Sequence, residues 1–144
     1  LHISEPISGT PFQALGGESA VRELVDRFYD RMDIESRFAL LRSLHPSSLD
    51  GSRAKLTWFL CGFLGGPNHY VERFGPPMLR ARHLPFSIGV VERDQWLACM
   101  FASMEDVDVP TPLRQRLQQS FTATADWMRN RPETPLQGEE EGPA

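Results

Sequence analysis

Val21, Leu24, Val25, Phe28, Tyr29 and Met32 recur at i, i+3, i+4 and i+7, the spacing that gathers apolar side chains on one face of a helix. A strand would need period-two alternation, which this run lacks. Three further long stripes lie downstream: Leu56, Phe59, Leu60, Phe63 and Leu64; then Trp96, Leu97, Met100, Phe101 and Met104; then Leu113, Leu117, Phe121, Thr124 and Met128. Gly65-Gly66-Pro67 stops the second, and Val109-Pro110-Thr111-Pro112 separates the third from the fourth. Shorter helices are predicted over 36–44, 69–74 and 78–83, because Pro46, Pro67, Pro76, Pro77 and Pro85 interrupt the chain around them. No Asn-Gly or Asp-Gly turn joins alternating segments, so the fold class is all-α, with its irregular part between the second and third long helices.

With 144 residues the chain suits one domain with one core. Residues 1–10 read as an irregular arm, 11–131 as the helical domain, and 132–144, with Glu139, Glu140 and Glu141, as an acidic, disordered tail. A net charge of −4 argues against a phosphate backbone as partner, so no nucleic acid is expected. No apolar run approaches the ~18 residues of a membrane-spanning helix, and no membrane association is expected. The two cysteines, Cys61 and Cys99, lie in apolar segments and read as buried thiols of a reducing compartment. The opening LHISEPISGTPF carries neither the basic start nor the apolar stretch of a secretory signal, and a cytoplasmic location is the expectation.

His2, His45, His69 and His83 are scattered, and HExxH, CxxC, GxSxG and GxxxxGK[ST] motifs are absent. One imidazole is still sufficient where a cofactor such as haem brings four metal ligands of its own. His83 follows Leu79 by four residues, so its Nδ1–H can bond the Leu79 carbonyl and leave Nε2 for a metal; a surface or helix-capping histidine is the other reading. Tyr29 and Trp96 lie on inward stripes, either as core rings or as donors aimed into a ligand pocket.

From Phe63 to Met100 the chain reads FLGGPNHYVERFGPPMLRARHLPFSIGVVERDQWLACM, with Arg-Phe-Tyr at 27–29 and His-Pro at 45–46. The Gly-Gly-Pro, Arg-x-Arg-His-x-Pro-Phe-x-Ile and Glu-Arg-Asp-x-Trp-Leu-x-Cys-Met elements, in this order, resemble the group II (O-type) truncated haemoglobins. The resemblance covers residues 11–131 and implies a two-over-two helical sandwich enclosing haem b. It implies that His83 is the proximal ligand, that Tyr29 and Trp96 face a distal ligand, and that His45 reaches the same pocket. Ser52 takes the distal position that many globins fill with histidine. Lys55 and Arg82 are placed to pair with the haem propionates, and Leu56, Phe59, Leu79, Phe86, Ile88 and Met100 to contact the macrocycle. The chain departs from the family where 33–44 is longer and where Gly75-Pro76-Pro77 replaces Gly-His-Pro.

The resemblance further implies reversible binding of O₂, CO, NO or similar ligands at a six-coordinate site, with slow O₂ release. The same polar pocket would serve a redox enzyme, an NO dioxygenase or peroxidase-like protein working with a reductase. A haem-free helical interaction module, docking through the acidic tail, is the third class. A monomer or a homodimer is equally compatible with the sequence.

Overall fold

The computed structural model describes residues 9–130. The arm up to residue 8, Arg131 and the acidic tail 132–144 lie outside the described residues. The helices are α1 (Pro11–Leu15), α2 (Glu18–Ile34), α3 (Ala39–Ser43), α4 (Asp50–Phe63), α5 (His69–Phe74), α6 (Leu79–His83), α7 (Val90–Asp106) and α8 (Thr111–Trp127), with a 3₁₀ turn at Ser36–Phe38. Among the described residues there is no strand, and no helix is long and apolar enough to cross a membrane.

The stripe on α2 became the centre of the core. Val21, Leu24, Val25 and Phe28 are fully buried, with Met32 1% and Tyr29 5% exposed. Burying one such side chain contributes about 1.5–3 kcal/mol, so this face alone commits α2 to a central position. The helix packs on α4 and on α7, and α7 packs on α8, so two helix pairs lie one over the other. Cys99 on α7 donates its thiol to the Phe28 carbonyl at 3.1 Å, and Arg31 on α2 grips Asp106 on α7 with two bonds of 2.6 and 2.8 Å.

The helix ends obey local chemistry. Past α4, Gly65 takes a φ of +91°, the Gly66 N–H reaches back to the Cys61 carbonyl at 2.7 Å, and the Gly65 N–H to the Gly62 carbonyl at 3.0 Å. A left-handed residue succeeded by this long backward bond closes the helix and satisfies carbonyls that would otherwise be left over. Gly66 also lets α1 come close: a Cβ there would meet the Phe12 ring at 2.6 Å, while the Phe12 N–H donates to the Leu64 carbonyl at 2.8 Å.

The α1 helix itself has too few residues to show an apolar period. It forms because Thr10 and Gln13 exchange a reciprocal cap, each side chain taking the other's backbone N–H at 3.1 Å, with Pro11 in the first turn. Thr10, the last residue of the expected arm, is therefore an N-cap.

Beyond α4 the packing loosens. Val71, Phe74, Met78, Leu84 and Phe86 are all exposed, Met78 to 64%, and α6 has no helical partner comparable to those of α2. Met78 enters α6 in the left-handed conformation at φ +46°, a costly state for a residue with a side chain. Arg82 braces that turn, donating from Nε to the Pro77 carbonyl at 2.7 Å and from Nη2 to the Phe74 carbonyl at 3.0 Å.

Candidate functional site

His83 closes α6, and its Nδ1 lies 2.7 Å from the Leu79 carbonyl. A carbonyl only accepts, so Nδ1 carries the hydrogen and the neutral ring keeps its lone pair at Nε2. The four-residue spacing thus made the bond expected from it. What holds α6 in place comes from the far end of the domain. The Asn130 amide donates to the carbonyls of His83 at 3.3 Å and Phe86 at 2.7 Å and accepts the Ile88 N–H at 2.9 Å; the Asn130 backbone N–H bonds the Ile88 carbonyl at 2.9 Å. Arg80 adds bonds to the carbonyls of Trp127 at 2.8 Å and Arg129 at 2.6 Å, placing a cation at the negative end of α8. Asn130 and Arg80 had no sequence signal, because their partners are backbone atoms more than forty positions away.

A second cluster gathers around Tyr29. Its ring meets Phe28 edge-on at 5.0 Å and His45 edge-on at 5.8 Å, and Trp96 packs on Phe28 at 5.3 Å and on Phe121 at 5.7 Å. Among the described residues neither the Tyr29 hydroxyl nor the Trp96 indole N–H has a hydrogen-bond partner in the protein. Burial pushes the Tyr29 phenol well above its ordinary value, so it stays an O–H donor at any physiological pH.

His45 lies 3.0 Å from the Leu41 carbonyl through Nδ1, and burial lowers its pKa, with Arg42 and His83 adding repulsion. Neutral and bonded this way, His45 presents an acceptor at Nε2. Sequence reasoning missed Arg53, which lies over the Tyr29 ring at 5.8 Å while holding Asp26 at 3.1 Å and Asp30 at 2.8 Å, so it staples the start of α4 to α2.

The remaining residues singled out in the sequence divide by position. Leu56, Phe59 and Trp96 are partly buried at the edge of the core, Ile88 is 8% exposed, and Met100 is sealed within the core one turn beyond Trp96. Leu79 is half-buried, Phe86 is 43% exposed, its ring 6.4 Å from that of His83, and Ser52 is half-buried in the first turn of α4. Lys55 reaches over the Phe74 ring at 5.6 Å and, among the described residues, has no carboxylate partner. Arg82 has donors on Pro77 and Phe74 and lies over Tyr70 at 5.6 Å, also without a carboxylate. Both cysteines are free and buried.

The family model for bacterial-like globins matches residues 10–130. This chain is a member of the bacterial-like globin family. It is 41% identical over 123 residues to the group 2 truncated hemoglobin YjbI of Bacillus subtilis (strain 168), covering 85% of this chain and 90% of that protein. Among solved structures, the group II 2-on-2 hemoglobin of the plant pathogen Agrobacterium tumefaciens superposes with a TM-score of 0.83 at 41% identity, covering 89% of this chain and 98% of that one. The truncated oxygen-avid haemoglobin of Bacillus subtilis gives a TM-score of 0.79 at 40% identity, covering 85% of this chain and all (100%) of that one. The two crossed helix pairs are thus the 2-on-2 sandwich of the group II truncated globins.

Membership of this globin family implies haem binding and oxygen-related chemistry. The residues present suit such a group. An imidazole with Nδ1–H engaged and Nε2 uncommitted stands among exposed or half-buried apolar side chains, Leu79, Leu84 and Phe86, that a flat apolar ligand would cover.

Proposed function

We propose that this globin holds haem b through His83 and reversibly binds O₂, and also CO or NO, as sixth ligand on the opposite side, releasing O₂ slowly. When bound, haem supplies the iron at which the diatomic ligand is held. His83 would ligate through Nε2, its ring fixed by the Leu79 carbonyl, with α6 held by Asn130 and Arg80. Leu56, Leu79, Phe59, Phe86, Ile88, Trp96 and Met100 would exclude water around the macrocycle, and Lys55 and Arg82 would pair with its carboxylates. Ser52, too short to bond the ligand strongly, would set access.

The observation that carries this reading is the Tyr29 hydroxyl: 95% of the residue is buried, yet no group of the described protein takes its hydrogen. The phenol is thus a donor left available, at the edge of the core, to a ligand that accepts a hydrogen bond. Trp96 would supply a second donor, and His45, its ring edge-on to that of Tyr29, would line the same distal pocket. An O₂ ligand carrying partial negative charge gains about 1.5–3 kcal/mol from one such bond, enough to slow release roughly tenfold or more. Cytoplasmic residence belongs to the same reading.

Oxygen dissociation rates of the parent, Tyr29→Phe and Trp96→Phe proteins test it. Both variants are expected to release O₂ at least about tenfold faster. Unchanged rates in both would defeat the proposal.

A further inference from the structure

Folding brings together three side chains that the globin site does not use. Glu18 opens α2, Cys61 lies in the last turn of α4, and His69 opens α5. Glu18 Oε1 accepts from His69 Nε2 at 2.9 Å, and one carboxylate oxygen, the Cys61 sulfur and one imidazole nitrogen all lie within 4.8 Å of one another. The scatter of the four histidines along the chain argues against a zinc cluster, yet folding brings one of them together with a carboxylate and a thiol from two other helices. We propose that Glu18, Cys61 and His69 form a binding site for one divalent transition metal of the zinc class.

The donor set points to that class. Thiolate, imidazole and carboxylate together suit a borderline ion such as Zn²⁺, whereas calcium and magnesium select oxygen alone. The distances are close to those required. Zinc bonds of about 2.0–2.3 Å in a tetrahedron put neighbouring donors about 3.3–3.6 Å apart. The carboxylate and imidazole need to part by a few tenths of an ångström and the thiol to close in, side-chain rotations at helix ends. The thiol forms the buried floor, while Glu18 at 39% and His69 at 26% side-chain exposure leave an approach from solvent and a fourth position for water.

Supporting contacts are present. Arg22 donates to Glu18 Oε2 at 2.9 Å, which orients the carboxylate and leaves Oε1 toward the other two donors. On binding, the Cys61 thiol proton goes to solvent and the Nε2 hydrogen is replaced by one at Nδ1. One thiolate and one carboxylate then neutralise the dication. The bound ion would tie α5, the start of the segment that carries His83, to α2 and α4.

The full chain, as purified and stripped with chelator, is mixed with equimolar Zn²⁺, desalted and analysed for metal, and its zinc K-edge X-ray absorption is recorded. One zinc per chain is expected, with one sulfur at about 2.3 Å and nitrogen or oxygen at about 2.0–2.2 Å. Titration with zinc should show Cys61→Ser, His69→Leu and Glu18→Gln each weakening affinity at least about tenfold, with Cys99→Ser unchanged. A shell without sulfur, no retained zinc, or equal affinity in His69→Leu and Glu18→Gln overturns the proposal. Those two variants alter partly exposed side chains, so they decide the matter even if Cys61→Ser does not fold.

Discussion

Replacing Asn130 by Ala removes three side-chain hydrogen bonds at once: those to the His83 and Phe86 carbonyls at 3.3 and 2.7 Å and that from the Ile88 N–H at 2.9 Å. The site is partly exposed, so water can take up the freed groups and each bond is worth about 0.5–1.5 kcal/mol net. Because the 3.3 Å contact shares its donor group with the shorter one, the total is about 1.5–3 kcal/mol, or roughly 10- to 150-fold in the opening equilibrium of the segment after α6. The backbone bond between Asn130 and Ile88 survives the change. Amide hydrogen exchange reads the effect directly, since the Ile88 N–H is the donor to Oδ1. Its protection should fall by that factor while the amides of Val25 and Phe28, in the buried centre of α2, change far less. Asn130→Asp should be worse than Ala, because it keeps the acceptor for Ile88 but turns a carboxylate oxygen toward two carbonyls. Unchanged Ile88 protection in the Ala variant would refute the idea that Asn130 secures the His83 segment.

Contacts elsewhere in the molecule lead to other outcomes. Arg31 holds the Asp106 carboxyl below its ordinary value, mainly through its hydrogen bonds, so this pair stabilises the fold fully above about pH 4 and its contribution fades as pH falls through the lowered folded value. With both side chains about a quarter exposed, Asp106→Asn should cost up to about 1 kcal/mol at pH 7 and progressively less below pH 4 in denaturant titrations; a cost independent of pH would exclude the ionic origin. Gly66→Ala should destabilise by about 1–3 kcal/mol through collision with the Phe12 ring, and Phe12→Ala in the same chain should remove most of that penalty. Burial pushes the Cys99 thiol up to about 12, so an alkylating reagent at pH 8 should label Cys99 only on unfolding; labelling of the native protein within minutes would contradict its burial.

Much of the fold was legible because helices write themselves locally. The stripes on α2, α4, α7 and α8, the Gly-Gly-Pro stop and the prolines around α5 and α6 all act within a few residues, the range over which periodicity and backbone sterics operate. The same holds for the Nδ1 bond of His83, which joins residues one helical turn apart. By contrast, α1 rests on a reciprocal cap over four residues, too short for a period.

The sequence by itself thus determined an all-helical chain, its main helix boundaries, the residues that line the inward faces and, through motif resemblance, the globin family. Tertiary structure decided the rest. It selected Asn130 and Arg80 to secure the His83 segment, set Arg53 over Tyr29, made His45 an acceptor through the Leu41 carbonyl, and gathered Glu18, Cys61 and His69. Apart from the His45 bond, itself one turn long, the physical reason is range. Apolar burial repeats along a helix and leaves a period, whereas a polar side chain meets its distant partner once, wherever folding brings the two together.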